Sequence, residues 1–378
     1  MDLIFLVSES SFDFSEETLH SLDRFISFIL NRNYFSRIIL LSKENLPPDA
    51  LFKKAEVILY KDLDTKKLEN EVVISIGLNY FDIDYKYLFE FHKSRKSDIT
   101  LPVKFMLNFQ DRSIVKIDEN FCLKNFEFSS FSEEGYVFTN TFLASKGVLK
   151  KIVDGLSRRD FFCRILEGEN AGVLPISGKE LNLFYVDNRL DKKKVVFIDR
   201  DGTINVDTGY VYKVEELEFV SGVIDFLKEL QKYFDGFVIV TNQAGIAKGK
   251  FSIDDYINFE TYLEEQLRKE GIKILDSFYC PYHRDGIVEK YKKESLLRKP
   301  NPGMVLLAAE KHNIDIFNSI MIGDKESDRI NLPYLKSYIL LGNYEIKNRK
   351  NVYKTYDEVL AAIIKDLENE KGIQKTFA

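Results

Sequence analysis

The sequence has no tryptophan, only 4 histidines, 3 cysteines and 8 prolines in 378 residues, and no uninterrupted apolar run of the ~18 residues a bilayer-crossing helix needs. Each shortage excludes something. Cys122, Cys163 and Cys280 are odd in number and far apart, which argues against a disulfide framework and for a reducing compartment. Without a long apolar run no membrane span is expected. The apolar stretch Met1–Ser8 lacks the basic leader and length of a signal peptide, so it reads as a first strand in a cytoplasmic protein. An excess of basic charge is missing too. Lys plus Arg come to 54 against 60 for Asp plus Glu, a net charge of −6, and a nucleic-acid partner is not expected. With so few prolines, 45% hydrophobic and 30% charged residues describe a folded chain rather than a disordered one. At roughly 150 residues per domain the length calls for two domains. The 31 Phe and 20 Tyr fall mostly in strand-like or amphipathic runs and read as core.

The periodicity predicts α/β architecture in both halves. In the first, Leu3 to Val7, Ile38 to Leu41 and Val72 to Ile76 read as strands, with a helix carrying Leu19, Leu22, Ile26 and Ile29 after the first. The charged run from Asp187 to Lys194 predicts a solvated connection, giving domains at 1–188 and 195–378 with a linker at 189–194. In the second half, strands Val195 to Ile198, Phe237 to Val240, Ser319 to Ile322 and Tyr338 to Leu341 alternate with helical patterns. One pattern carries Val223, Phe226, Leu227 and Leu230. The other carries Tyr256, Phe259, Leu263 and Leu267, with Ser252 as N-cap and Gly271 as stop. This is the pattern of a parallel sheet with helices on its faces.

The chemistry concentrates at the ends of those strands, where open parallel sheets bind ligands. Asp199-Arg200-Asp201-Gly202-Thr203 follows the first strand, Thr241-Asn242-Gln243-Ala244-Gly245 the next, and Gly323-Asp324-Lys325-Glu326-Ser327-Asp328 a later one, while Arg298-Lys299-Pro300 precedes a helical stretch. Singly, each has an ordinary reading: a turn aspartate, an N-cap threonine, a surface lysine. Together, in this order, they supply what phosphate-ester cleavage needs. Asp199 can attack phosphorus to form an aspartyl-phosphate. Asp201 can protonate the leaving alkoxide and later deprotonate water. Lys299 and Thr241 can hold the anionic oxygens, and Asp199, Asp324 and, as a further candidate, Asp328 can hold magnesium.

These residues resemble the four motifs of the haloacid-dehalogenase-type phosphatases, and most closely the heptose-bisphosphate and histidinol-phosphate phosphatases. The longer strings Asp207-Thr208-Gly209-Tyr210, Thr241 to Gly249 and Arg298 to Met304 carry the closer resemblance, which spans residues 194 to about 345. It implies a Rossmann-like parallel sheet and substrate contacts by Asp207, Tyr210, Asn242, Gln243, Arg298 and Lys325. It also implies a backbone carbonyl, of Arg200 or Asp201, in the magnesium shell. The implied substrate is a phosphorylated sugar or polyol, with the C7 phosphate of a heptose 1,7-bisphosphate as the leading case and histidinol phosphate as the alternative. Members of this family usually carry a zinc loop, Cys-x-His then Cys-x-Cys. Here the four positions are Cys280, Tyr282, Ser295 and Leu297, so no zinc is expected, and His283 reads as a loop or packing residue.

The first half resembles a degenerate sugar-nucleotide nucleotidyltransferase of the nucleotide-binding α/β (GT-A-like) type. The resemblance rests on Tyr80 to Asp84 with Leu88, Phe91 and His92, on Asp98 to Thr100, on Gly135 to Thr141, on Ser157 to Asp160 and on Phe184 to Asp187. Such enzymes open with a Gly-rich phosphate loop, because only glycine allows so close an approach of backbone amides. Here Ser8 to Asp13 contain no glycine and two acidic residues, and Leu78 replaces the metal-holding aspartate. A non-catalytic scaffold, with homo-oligomerisation through this domain as one option, is expected. A bifunctional enzyme and a wholly inactive assembly protein are the alternatives. His20 and His92 read as surface or packing residues.

Overall fold

A computed structural model describes residues 192–376 without a break. In the first half it describes residues 2–7, 26, 29, 34–42, 56–59, 67–76, 79–82, 85–139, 141–145, 148, 170–176 and 179–182. Its internal contacts fall into two units, Met1–Leu190 and Asp191–Ala378. Among the described residues no helix is long and apolar enough to cross a membrane.

In the first unit the expected strands are present as β1 (Asp2–Val7), β2 (Arg37–Ser42) and β4 (Glu71–Ile76), joined by β3 (Glu56–Leu59). All pair in parallel in the order β3-β2-β1-β4. Ile26 and Ile29 are helical and buried, as their spacing predicts. The strands β6 (Ile99–Ile117), β7 (Leu123–Phe138), β8 (Thr141–Ser145) and β9 (Ala171–Pro175) complete the sheet. β8 and β7 run antiparallel to β6, and β9 runs parallel to it. The pair β5 (Asn79–Asp82) and β10 (Lys179–Asn182) stands apart. His92, on helix α1 (Tyr85–Arg95), is a packing residue. Its ring is buried, with Nδ1 2.9 Å from Thr100 Oγ1 and Nε2 3.0 Å from a Glu71 carboxylate oxygen. The readings of Ser8 to Asp13, His20, Gly77-Leu78, Ser157 to Asp160, Cys163 and Phe184 to Asp191 fall outside the described residues.

The second unit is a six-stranded sheet, all parallel, in the order β13-β12-β11-β14-β15-β16. These strands are β11 (Val195–Ile198), β12 (Gly236–Asn242), β13 (Ile274–Cys280), β14 (Ile320–Gly323), β15 (Lys336–Leu340) and β16 (Val352–Tyr353). β11 is central and wholly buried, which is why its sequence is an unbroken Val-Val-Phe-Ile. On one face Val196 and Ile198 pack with Phe226 and Leu227 of α2 (Val223–Leu230), Phe259 and Leu263 of α4 (Ile253–Lys269), and Val359 and Ile363 of α6 (Tyr356–Thr376). The short α3 (Ala244–Ala247) follows β12. Helix α5 (Gly303–His312) lies against β12 and β13. The Ser252 cap forms as expected: its hydroxyl accepts from the Asp255 amide at 3.0 Å, and the Asp255 carboxylate accepts from the Ser252 amide at 2.8 Å.

This strand order has one consequence for function. The chain leaves β11 to one side for β12 and β13 and returns on its other side as β14, so a crevice opens at the carboxyl ends of β11 and β14.

Candidate active site

Asp199 is the first residue beyond β11, and its amide donates to the Ile322 carbonyl of β14 at 2.9 Å, fixing it at that crevice. The chain then turns sharply, with the Arg200 carbonyl accepting from the amides of Thr203, Ile204 and Asn205. Gly202 makes the turn at φ +91°, and a Cβ there would lie 2.1 Å from Asp324 Oδ2. Likewise a Cβ on Gly323 would lie 2.2 Å from the Asp328 carboxyl. Gly202 therefore lets the loop after β11 close on the Asp324 carboxylate of the β14 loop, and Gly323 lets that loop fold back on its own Asp328.

Ten of the residues singled out in the sequence, Asp199, Asp201, Asp207, Tyr210, Thr241, Asn242, Gln243, Arg298, Lys299 and Lys325, line one cleft of about 380 Å³. Lys299 is buried between two carboxylates, its Nζ 2.7 Å from Asp199 Oδ1 and 2.6 Å from Asp328 Oδ1. Burial alone would raise the Asp199 carboxyl, but the ammonium groups of Lys299 and Lys325 and the Arg200 backbone amide hold it below its ordinary value. Burial works against the charge of Lys299 as well, and the two carboxylates outweigh it. Asn242 grips the Lys299 backbone from both sides, accepting from its amide at 3.0 Å and donating to its carbonyl at 3.1 Å. Its amide therefore serves to place the lysine. The Gln243 amide nitrogen donates to both Thr241 Oγ1 and Asp201 Oδ2 at 2.8 Å.

Asp199, Asp324 and Asp328 offer carboxylate oxygens within 4.8 Å of one another. The set fits a small hard cation. Asp324 Oδ1 is buried with no hydrogen-bond partner, and burial together with the Asp199 charge pushes its carboxyl up to about 8 against the opposing pull of Lys325. Both Asp328 oxygens are already engaged, by Lys299 Nζ and by the Lys325 amide at 2.9 Å. Of the two candidate carbonyls, that of Arg200 is taken up by the turn, whereas that of Asp201 accepts from Lys325 Nζ at 2.8 Å. Lys325 also lies 3.2 Å from Asp207, 3.6 Å from Asp324 and 3.7 Å from Asp199. Tyr344 was not singled out in the sequence. Its hydroxyl donates to Asp207 at 2.7 Å and its ring faces Lys325. It sits in the loop after β15, so its place at the carboxyl edge was legible once that strand was assigned.

The segment from Cys280 to Arg298 is tied by hydrogen bonds. Cys280 Sγ contacts the Tyr282 carbonyl at 3.9 Å, and Arg298 donates to the same carbonyl at 3.3 Å. The Leu297 amide donates to the Ser295 hydroxyl at 3.1 Å, and Asn301 donates to the Ser295 carbonyl at 3.2 Å. The amides of Ile287 and Val288 donate to Ala247. His283 is a loop residue whose Nδ1 accepts from the Asp285 amide at 3.1 Å. With Tyr282, Ser295 and Leu297 at the ligand positions, elemental analysis of the purified protein should find no stoichiometric zinc, and one tightly held zinc per chain would overturn that expectation.

Residues 194–366 match the polynucleotide kinase 3 phosphatase family. A D-glycero-alpha-D-manno-heptose-1,7-bisphosphate 7-phosphatase from Photorhabdus laumondii is 44% identical over 138 residues, 36% of this chain and 75% of that protein. Among solved structures, the D,D-heptose 1,7-bisphosphate phosphatase from B. bronchiseptica, complexed with magnesium and phosphate, is 21% identical over 46% of this chain and 99% of its own, with a TM-score of 0.39. A protein described as a glucose-1-phosphate thymidylyltransferase from Bacillus anthracis is 13% identical over 48% of this chain and 88% of its own, with a TM-score of 0.37.

Proposed function

Because the chain belongs, through its second unit, to the heptose-bisphosphate 7-phosphatase family of haloacid-dehalogenase-type phosphatases, we propose that it removes the C7 phosphate of a heptose 1,7-bisphosphate through an aspartyl-phosphate on Asp199. The observation that carries this reading is the buried Asp199 held ionised by Lys299 at 2.7 Å, beside Asp324 Oδ1, which has no hydrogen-bond partner, at the edge of a polar cleft.

In this mechanism an Asp199 oxygen attacks phosphorus while Lys299 and the Thr241 hydroxyl hold the equatorial oxygens. Magnesium held by Asp199, Asp324 and the Asp201 carbonyl, with Asp328 close by, would neutralise phosphate charge. Asp201 gives a proton to the departing C7 oxygen, then takes one from the water that hydrolyses the acyl-phosphate. Arg298 and Lys325, at opposite sides of the Lys299 position in sequence, supply cationic contacts for the rest of an anionic substrate, with Asp207 and Tyr210 at the rim. The cytoplasmic location belongs to the same proposal and rests on the cysteine pattern of the sequence.

A phosphate-release panel with magnesium tests the substrate. Both anomers of heptose 1,7-bisphosphate, histidinol phosphate and simpler sugar and polyol phosphates would be compared by kcat/KM. A heptose bisphosphate should lead. Faster cleavage of histidinol phosphate than of every sugar phosphate would move the assignment to that substrate.

For the first unit, spanning 1–188 with a connection at 189–194, we propose a scaffold without transferase chemistry. The support is the sequence, in which neither a glycine phosphate loop nor the metal-holding aspartate is present. The full chain given any nucleoside triphosphate with a sugar 1-phosphate should release no pyrophosphate. Pyrophosphate appearing with a nucleotide sugar would restore the bifunctional reading.

A further inference from the structure

Arg200 has the largest side chain buried almost completely among the described residues, and the mechanism above gives that side chain no task. Its guanidinium is bound on every side. Nε and one terminal nitrogen donate to Asp201 Oδ1 at 3.0 and 2.9 Å, and the same terminal nitrogen reaches Asp201 Oδ2 at 3.0 Å and the Val211 carbonyl at 2.9 Å. The other terminal nitrogen lies 3.3 Å from Glu260 Oε2. The Phe259 ring lies 4.7 Å from the guanidinium carbon. Glu260 and Phe259 are on α4, which is capped and packed into the core, so the guanidinium is anchored to a rigid element. Burying a charge this deeply carries a desolvation cost that only well-placed partners offset.

The two oxygens of Asp201 are held unequally. Oδ1 accepts from two Arg200 nitrogens and from Asn205 at 3.2 Å. Oδ2 takes the longer share of one Arg200 nitrogen and the Gln243 amide, whose other partner is Thr241 at the phosphate-holding end of the cleft. We propose that the Arg200 side chain, braced by Glu260, is a positioning residue for Asp201: by contacting both oxygens it fixes the orientation of the carboxyl group that transfers the proton. This rests on the phosphatase reading above and deepens it. In the first step the Asp199–phosphorus bond forms and the phosphorus–oxygen bond to the alcohol breaks. The bonding pair goes to that oxygen, and the proton on the Asp201 carboxyl follows it, releasing the alcohol. In the second step water gives its proton back to Asp201 and its oxygen to phosphorus, freeing phosphate and Asp199.

The leaving group separates positioning from bulk structural damage. An alkoxide needs the proton, whereas p-nitrophenolate leaves without one, and kcat/KM reports the chemistry through the first phosphoryl transfer. In the full-length protein with magnesium, Arg200→Met should lower kcat/KM for a sugar phosphate by about 100-fold, the scale of a lost general acid. For p-nitrophenyl phosphate the loss should stay within about threefold, and Arg200→Lys should recover part of the sugar-phosphate rate. If Arg200→Met does not fold, Glu260→Gln takes its place and should show the same selectivity with a smaller loss. Equal losses on both substrates in folded variants would overturn the positioning role and leave the phosphatase reading standing. A wild-type protein that hydrolyses neither substrate would overturn both.

Discussion

Asp199→Asn should abolish phosphate release, by about 10⁴-fold or more in kcat, while leaving the fold intact. The amide nitrogen or oxygen that replaces Oδ1 is a poor nucleophile and a poor ligand for a hard cation. Stability should change little, because Lys299 keeps its second carboxylate, Asp328, at 2.6 Å. The expected pattern is thus a soluble, cooperatively folding variant with an unchanged melting profile and no turnover. Measured phosphate release near the wild-type rate would exclude Asp199 as nucleophile. Release reduced only as far as a general loss of stability predicts would exclude it equally.

Lys299→Met should do the reverse in stability. The substitution keeps the volume and removes the cation between Asp199 and Asp328, both buried. Breaking a buried pair by deleting one partner costs about 3–5 kcal/mol, because the remaining charge has lost its compensation. Lys325, 3.7 Å from Asp199, offsets only part of this. The pH dependence gives the cause away. In the wild type, burial already raises the Asp328 carboxyl, and without Lys299 the Asp199–Asp328 pair binds a proton more readily in the folded than in the unfolded chain. A carboxyl raised by folding adds stability below its unfolded value and loses it as pH rises through the folded one. The deficit of Lys299→Met should therefore shrink as the pH falls from neutral towards 5. A deficit that stays constant over that range in chemical denaturation would show that packing, not charge, accounts for the loss.

How much of this was legible in the sequence differs between the two halves. The second unit was read well because its signals are local and redundant. β11 is a buried run that needs no partner to identify it, and the residues of α2 and α4 repeat at helical spacing beside a Ser252 cap. The motif residues lie at strand ends, where the parallel topology brings them to one edge. Missing were β13, α6 and the β15 loop with Tyr344. β13 reads Ile-Leu-Asp-Ser-Phe-Tyr-Cys with only its ends buried, and such a half-exposed strand in a parallel sheet has no strong pattern. Glu260 was passed over because a glutamate on an apolar helix face reads as solvated, and only the tertiary partner, Arg200, explains its burial. In the first unit the hairpin of β6 and β7 went unread. Val103, Phe105 and Phe109 are buried and alternate with Lys104, Asn108 and Gln110 on the first of its strands, so a period-2 signal was present there and was not used.

The central claim is a covalent phosphoryl group on Asp199. Borohydride reduces an acyl-phosphate to the alcohol, converting the aspartate that carries it to homoserine, and peptide mass spectrometry then locates the change. With substrate and magnesium present during turnover, homoserine should appear at position 199, and it should be absent without substrate or in Asp199→Asn. Homoserine at another aspartate, or steady phosphate release with none formed at 199, would contradict the account.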